Sequence, residues 1–219
     1  MAKNIELKCK MLGKHFGNKA IFSNLSFKLT NTQSLVVTGR NGTGKSTLLK
    51  ILATLIKPDV GKYSMSIDGI ELEKNKFFKH IGMLAPYINL YDELTGYENL
   101  MLFGQLRNSY FTKEDKNRVL ELLSKVNLYT KRNEYFRNYS SGMKQRLKLA
   151  FAIQHSPSIL LLDEPRTNLD VEGINIVYDI IEEQKKSGIV IIATNDLDDI
   201  NLCIEKINIE DFNSAEFLL

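Results

Sequence analysis

Three observations predict an α/β fold with a mostly parallel core sheet, an antiparallel β subdomain on its N-terminal side and an inserted helical subdomain. Apolar runs without alternation recur at 35–37, 159–162 and 189–193, and such runs suit strands covered on both faces, as parallel sheets require. Residues 4–38 instead contain stretches that alternate apolar and polar, the pattern of strands with one wet face. Residues 95–155 carry helical spacing and few strand-like stretches.

In chain order, Ile5, Leu7 and Cys9 alternate with polar residues, 13–17 reads as a turn, and Leu25, Phe27 and Leu29 alternate again. The run at Leu35, Val36 and Val37 stops at Gly39 and resumes as an apolar-periodic helix at Ser46. Pro58 and Gly61 mark a turn, 65–69 reads as a short hairpin arm, and 81–84 as a brief strand. Thr95 with Glu98 forms a capping box for a helix bearing Leu100, Phe103 and Leu106. Thr112 with Asp115 opens another, with Val119, Leu122, Leu123 and Val126 on one face. After the strand at 159–162 come a helix over 171–186, the strand at 189–193 and a short helix through Cys203. One domain over 1–219 is expected, with a core from 1–94 and 156–219 and a helical subdomain from 95–155.

Composition narrows the function. The chain has 219 residues, 43% of them hydrophobic, enough for a sizeable core. A net charge of +3 gives no argument for a nucleic-acid partner. Cys9 and Cys203 form no CxxC pair and read as buried thiols in a reducing compartment. No stretch reaches the ~18 apolar residues of a membrane span, and the N-terminus is too polar for a signal peptide. The expected location is the cytosol, or a membrane surface to which another protein holds the chain.

The chemistry starts at the stretch LVVTGRNGTGKSTLLKIL. Strand, glycine-rich loop and helix appear in the order that the G-x-x-x-x-G-K-[ST] pattern needs, which predicts a P-loop NTPase fold. Gly39, Gly42 and Gly44 let the backbone N–H groups converge on one concavity. The helix N-terminus adds its positive dipole end there. Lys45 offers a cation to β- and γ-phosphates, and Ser46 a hydroxyl to Mg²⁺. The strand at 159–162 delivers two acids: Asp163 to hold Mg²⁺ opposite Ser46, and Glu164 to polarise an attacking water. In YSSGM, at 139–143, Ser140 or Ser141 can cap a basic amphipathic helix whose N-terminus can hold an anion.

The order of these parts resembles the nucleotide-binding subunit of an ABC transporter over nearly the whole chain. In that likeness GRNGTGKST is the Walker A motif, implying that Gly39, Arg40, Asn41, Gly42, Thr43, Gly44, Lys45, Ser46 and Thr47 bind ATP with Mg²⁺. LLLDEP is Walker B with its catalytic glutamate, Glu164; YSSGM stands at the LSGGQ signature; NLD at 168–170 resembles the D-loop; Phe16 matches the aromatic that stacks on adenine. The resemblance implies two such domains bound head to tail, so that Ser140, Ser141 and Gly142 serve the partner's nucleotide. It also implies membrane-spanning subunits, met by a groove over 87–98 that carries Tyr87, Tyr91 and Tyr97.

Three departures accompany the likeness. The signature has Ser141 for a glycine and Met143 for a glutamine, a variant similar to ABC-2, haem-type and polysaccharide exporters. Pro86 stands where a metal-sensing glutamine is expected. Asn195 stands where the switch histidine is expected, able to hydrogen-bond a phosphate oxygen but with no titratable proton. The reading is an ATP-hydrolysing exporter subunit on the cytoplasmic face of a membrane. Its rivals are an ABC ATPase that serves no transporter and a slow or non-hydrolysing nucleotide sensor in an asymmetric pair.

Overall fold

The computed structural model describes residues 3–107 and 112–213. β1 (Ile5–Phe16) and β2 (Lys19–Thr30) form a long antiparallel hairpin; β4 (Val60–Ile67) joins the other edge of β1, and the short β5 (Ile70–Glu71) follows it. The alternation at Ile5, Leu7 and Cys9 is borne out, since all three are buried while Glu6 and Lys8 are not. The turn expected over 13–17 is corrected. β1 runs on to Phe16 through register shifts, and the chain reverses only at Gly17 and Asn18. Extra residues in one strand of a pair bend it and increase its twist.

The second sheet has strand order β6 (Ile81–Leu84), β7 (Ile159–Asp163), β8 (Ile189–Ala193), β3 (Ser34–Thr38), β9 (Glu205–Asn208), every pair parallel. Both faces are covered. Leu35, Val37, Leu161 and Ile191 point into one cluster, with Leu48 and Ile51 of α1 (Lys45–Leu52) and the antiparallel sheet. Leu160, Leu162, Val190 and Ile192 point into the other. That second cluster holds Leu100 of α2 (Gly96–Arg107), Val119 and Leu123 of α3 (Lys113–Lys125), Leu147 and Ala150 of α4 (Ser141–Ile153), and Val177 and Ile181 of α5 (Val171–Lys185). The helices between β6 and β7 thus share one core with the sheet.

The caps form as the side chains dictate. Thr95 and Glu98 exchange hydrogen bonds of 2.8 and 3.1 Å at the start of α2, and Thr112 and Asp115 make the equivalent box before α3. Of Leu100, Phe103 and Leu106, which share helical spacing, Leu100 is buried but Leu106 is exposed. The last short helix, α6 (Leu197–Asn201), stops before Cys203. β9 was not expected, because Glu205, Lys206 and Asn208 interrupt any apolar run at this sheet edge.

Candidate nucleotide-binding site

Register brings the polar residues together. Asp163 lies opposite Ala193, Ala193 opposite Val37, and Val37 opposite Ile207, so four neighbouring strands end level with one another. The residues that follow, Glu164, Thr194 and Asn195, and the loop from Gly39, therefore emerge side by side at the carboxyl edge, where open α/β sheets bind ligands.

The loop needs glycine at its two ends. Gly39 has φ 136°, and a Cβ there would stand 2.7 Å from Ile209 Cγ2. Gly44 has φ 116°, and its Cβ would stand 2.5 Å from Ile21 Cγ2. Both contacts are closer than carbon atoms tolerate, and both φ values disfavour other residues. α1 starts at Lys45, one residue before the expected Ser46, with no side-chain cap on its N-terminal N–H groups. Lys45 is only 6% exposed; its ammonium donates to Gly39 O at 2.5 Å and Arg40 O at 3.4 Å, and lies 4.0 Å from Glu164 Oε1. Ile21, Asn41, Gly42, Gly44, Ser46 and Thr47 line a cavity of about 300 Å³ with Lys45 and Glu164.

Asp163 is 2% exposed and its Oδ1 has no hydrogen-bond partner. Burial pushes its carboxyl above the ordinary range, opposed by the Ser46 hydroxyl and then by Lys45 and Lys50. A buried carboxylate oxygen left unpaired beside a hydroxyl wants a cation. Two hard oxygen donors suit Mg²⁺, which takes one or two protein ligands and completes its shell with water and phosphate. Among the described residues no group of three or more His, Cys, Asp or Glu could hold a metal without such help.

Glu164 has φ 49°, a left-handed conformation uncommon for a residue with a side chain. Its N–H donates to Ala193 O at 2.9 Å, which pins the turn to β8. Burial raises its carboxyl pKa, with Lys45 pulling the other way. The buried Thr194 hydroxyl is 3.5 Å from Glu164 Oε2 and 3.1 Å from Asp199 Oδ2. Asn195 Oδ1 accepts from the Gly39 N–H at 3.3 Å, and its Nδ2 donates to Asn41 Oδ1 at 3.4 Å, so this amide lies across the start of the loop.

Other expected residues stand apart. Ser140, not Ser141, caps α4, accepting from Met143 N–H at 3.2 Å. Gly142 packs against Asn168 and Leu169 of its own chain, where a Cβ would lie 3.0 Å from Asn168 O. Neither cavity bordering the loop has Ser140, Ser141 or Gly142 in its lining. Phe16 is 55% exposed at the β1–β2 hairpin end, with the Lys14 ammonium 5.3 Å from its ring centre. Pro86 follows β6, and its carbonyl accepts from Lys148 at 3.4 Å. Tyr91 of the groove over 87–98 stacks on Phe103 at 5.8 Å, while the Tyr87 ring lies 4.1 Å from the Lys50 ammonium.

A phosphate loop, an orphaned carboxylate beside its serine and a second acid on a strained turn define a P-loop cassette built for a nucleoside polyphosphate. Comparison with known proteins is specific: residues 22–167 match the ABC transporter family, and the chain belongs to it. It is 33% identical over 199 residues to the daunorubicin resistance ATP-binding protein DrrA3 of Streptomyces coeruleorubidus, covering 90% of this chain and 63% of that one. It is 30% identical to the arginine transport ATP-binding protein ArtM of Bacillus subtilis, covering 97% of this chain and 93% of ArtM. It spans 66% of the length of two further curated relatives. The ATP-binding cassette MJ0796, solved as a dimer in a post-hydrolysis state bound to ADP and Pi, superposes with a TM-score of 0.82 at 25% identity, over 93% of this chain and 94% of that one.

Proposed function

We propose that the chain binds ATP with Mg²⁺ at the Gly39–Thr47 loop, hydrolyses it, and drives an exporter through separate membrane subunits. The observation that carries this reading is the shared edge: the loop after β3 and the acids Asp163 and Glu164 at the end of β7 emerge at the same carboxyl edge, with β8 between the two strands. The roles follow from chemistry. Arg40, Asn41, Gly42, Thr43 and Gly44 present backbone to the phosphates, and Lys45 exchanges the carbonyls of Gly39 and Arg40 for phosphate oxygens. Ser46 and Asp163 are the protein ligands of the metal, whose charge would stabilise the phosphate oxygens. Glu164, on the turn that lines the loop's cavity, orients or deprotonates the attacking water. Asn195 lends a neutral amide beside the γ-phosphate. Phe16 stacks on the base.

Ser140, Ser141 and Gly142 lie outside the loop's cavities, so their proposed nucleotide is the one held by a second ATP-binding subunit. We treat 95–155 as the helical lobe that carries them, and the groove over 87–98 as the surface that meets the membrane subunits on the cytoplasmic face. No helix among the described residues is long and apolar enough to cross a membrane. The resistance name of DrrA3 supports export.

A second reading is favoured by one observation. Asn195 carries no charge and no transferable proton, and its amide is engaged with Gly39 and Asn41. A slow subunit in an asymmetric pair would have such a residue. Mg²⁺-dependent phosphate release by the purified chain separates the two. The first reading expects turnover that Lys45→Ala abolishes together with ATP binding, since charge-assisted contacts are about twice as strong as neutral ones. Unchanged affinity in Lys45→Ala would remove the loop as the site. ATP binding without turnover would select the second reading.

A further inference from the structure

The segment after β9 reaches back onto the phosphate loop. Glu210 Oε1 accepts from the Arg40 backbone N–H at 2.7 Å and from Arg40 Nε at 3.2 Å. The carboxylate is set by the fold rather than by a floppy side chain. Asn208 is opposite Thr38 in the β3–β9 ladder, and the Thr38 hydroxyl donates to Ile207 O at 3.4 Å. Asn208 Oδ1 accepts from the Glu210 N–H at 3.2 Å, closing a tight local turn. Ile209, fully buried, lies over Gly39. Glu210 then lines a cavity with Lys19, Ala20, Arg40, Asn41 and Gly42, on the flank of the loop.

We propose that Glu210 is a positioning residue for the nucleotide-phosphate loop: its carboxylate fixes the first turn of the loop through the Arg40 N–H, so that the amides beyond it are pre-aligned for phosphate. The proposal rests on the nucleotide-binding reading above. Two effects compete at this carboxylate. Its charge opposes the approach of a polyphosphate, while its hydrogen bond removes the freedom of the loop that binding must otherwise freeze. The Arg40 N–H is the primary reason the carboxyl stays below its ordinary range, so the group is an anion at neutral pH. The hydrogen bond requires an acceptor oxygen but no charge, and Gln supplies that oxygen.

The test is titration of the full chain with a fluorescent ATP analogue in the presence of Mg²⁺, for wild type, Glu210→Ala, Glu210→Gln and Lys45→Ala, alongside thermal melting. Glu210→Ala should bind about tenfold more weakly, as loss of a charge-assisted hydrogen bond implies, with its melting temperature close to that of wild type. Glu210→Gln should restore wild-type affinity or exceed it. Should the alanine variant not fold, Glu210→Ser, too short to reach Arg40, takes its place. Wild-type affinity in the truncated variant, or an equal loss in Glu210→Gln, overturns the positioning role. Unchanged affinity in Lys45→Ala overturns the nucleotide-site reading and this inference with it, an outcome separate from the other two.

Discussion

The residue that most directly sets the expected rate is Asn195. It stands beside the loop where a cation or a proton relay would stabilise charge on a transferring phosphate, and it can supply only a neutral N–H. Removing one preorganised electrostatic donor typically lowers rate by about 10²–10³, so hydrolysis should be slow rather than absent. Asn195→His should raise turnover toward that factor, measured by steady-state phosphate release. An intact fold with no increase would mean that another group already does the work. Asp199 gives a second prediction, on stability. It is buried, its carboxyl is pushed up to about 6 from an ordinary value of 3.8, mainly by desolvation, and the Thr194 hydroxyl only partly offsets this. The folded state therefore holds this proton more tightly than the unfolded state. The stability it contributes is complete below about pH 4 and lost as pH rises through about 6. Asp199→Asn removes the titration, so its stability relative to wild type should grow over that window by up to about 3 kcal/mol. His155, lowered to about 4 by burial, titrates in the opposite sense in both proteins and cancels in the comparison. Urea unfolding at pH 4.5 and 7.5 measures the difference; one that stays constant with pH would contradict the assignment.

At the scale of elements, legibility followed burial. β3, β7 and β8 were readable because strands covered on both faces must be apolar throughout, and α3 because its cap and its apolar stripe agree. β9 was illegible: only Ile207 of its four residues is even partly buried, so no pattern distinguishes it from a loop. Glu210 was missed for the same reason. Nothing local marks it, and only the β3–β9 register carries it to Arg40. The long β1 was misread at Gly13, where a turn residue serves an irregular strand. Walker residues were legible because their spacing is itself the chemistry, whereas the residues alone left the cap open between Ser140 and Ser141, and only the family resemblance pointed Ser140 at a partner's nucleotide. That cap gives the prediction at this scale. Ser140→Ala leaves the Met143 N–H without its acceptor and should cost about 1 kcal/mol of stability. Since Ser140 lies away from the loop of its own chain, the variant should bind nucleotide as a monomer with unchanged affinity while ATP-dependent pairing weakens. A loss of affinity in the monomer would show that Ser140 serves its own loop.

For the whole molecule, one copy holds half of each proposed site. The loop cavity has Glu164 and the backbone cradle but nothing of the Ser140 helix. Val171, just after the 168–170 turn, and Leu197, just after Asn195, are 76% and 75% exposed, apolar surface beside the chemistry that a second copy would cover. The proposed membrane subunits would act on a pair of such ATP-binding subunits, so pairing is the central claim of the proposal. Glu164→Gln tests it most directly. The substitution keeps size, hydrogen bonding and the φ of 49° that the turn demands, and it removes the base. General-base catalysis is worth about 10²–10⁴, so ATP should bind and persist, clamped between the Gly39 loop of one chain and the Ser140 helix of the other. Size-exclusion chromatography with light scattering, with and without Mg-ATP, should show a Glu164→Gln dimer that forms with ATP and dissociates when ATP is removed. A monomer at saturating ATP would contradict pairing between two copies of this chain and favour a different ATP-binding partner, and wild-type ATPase activity in the variant would contradict Glu164 as the base.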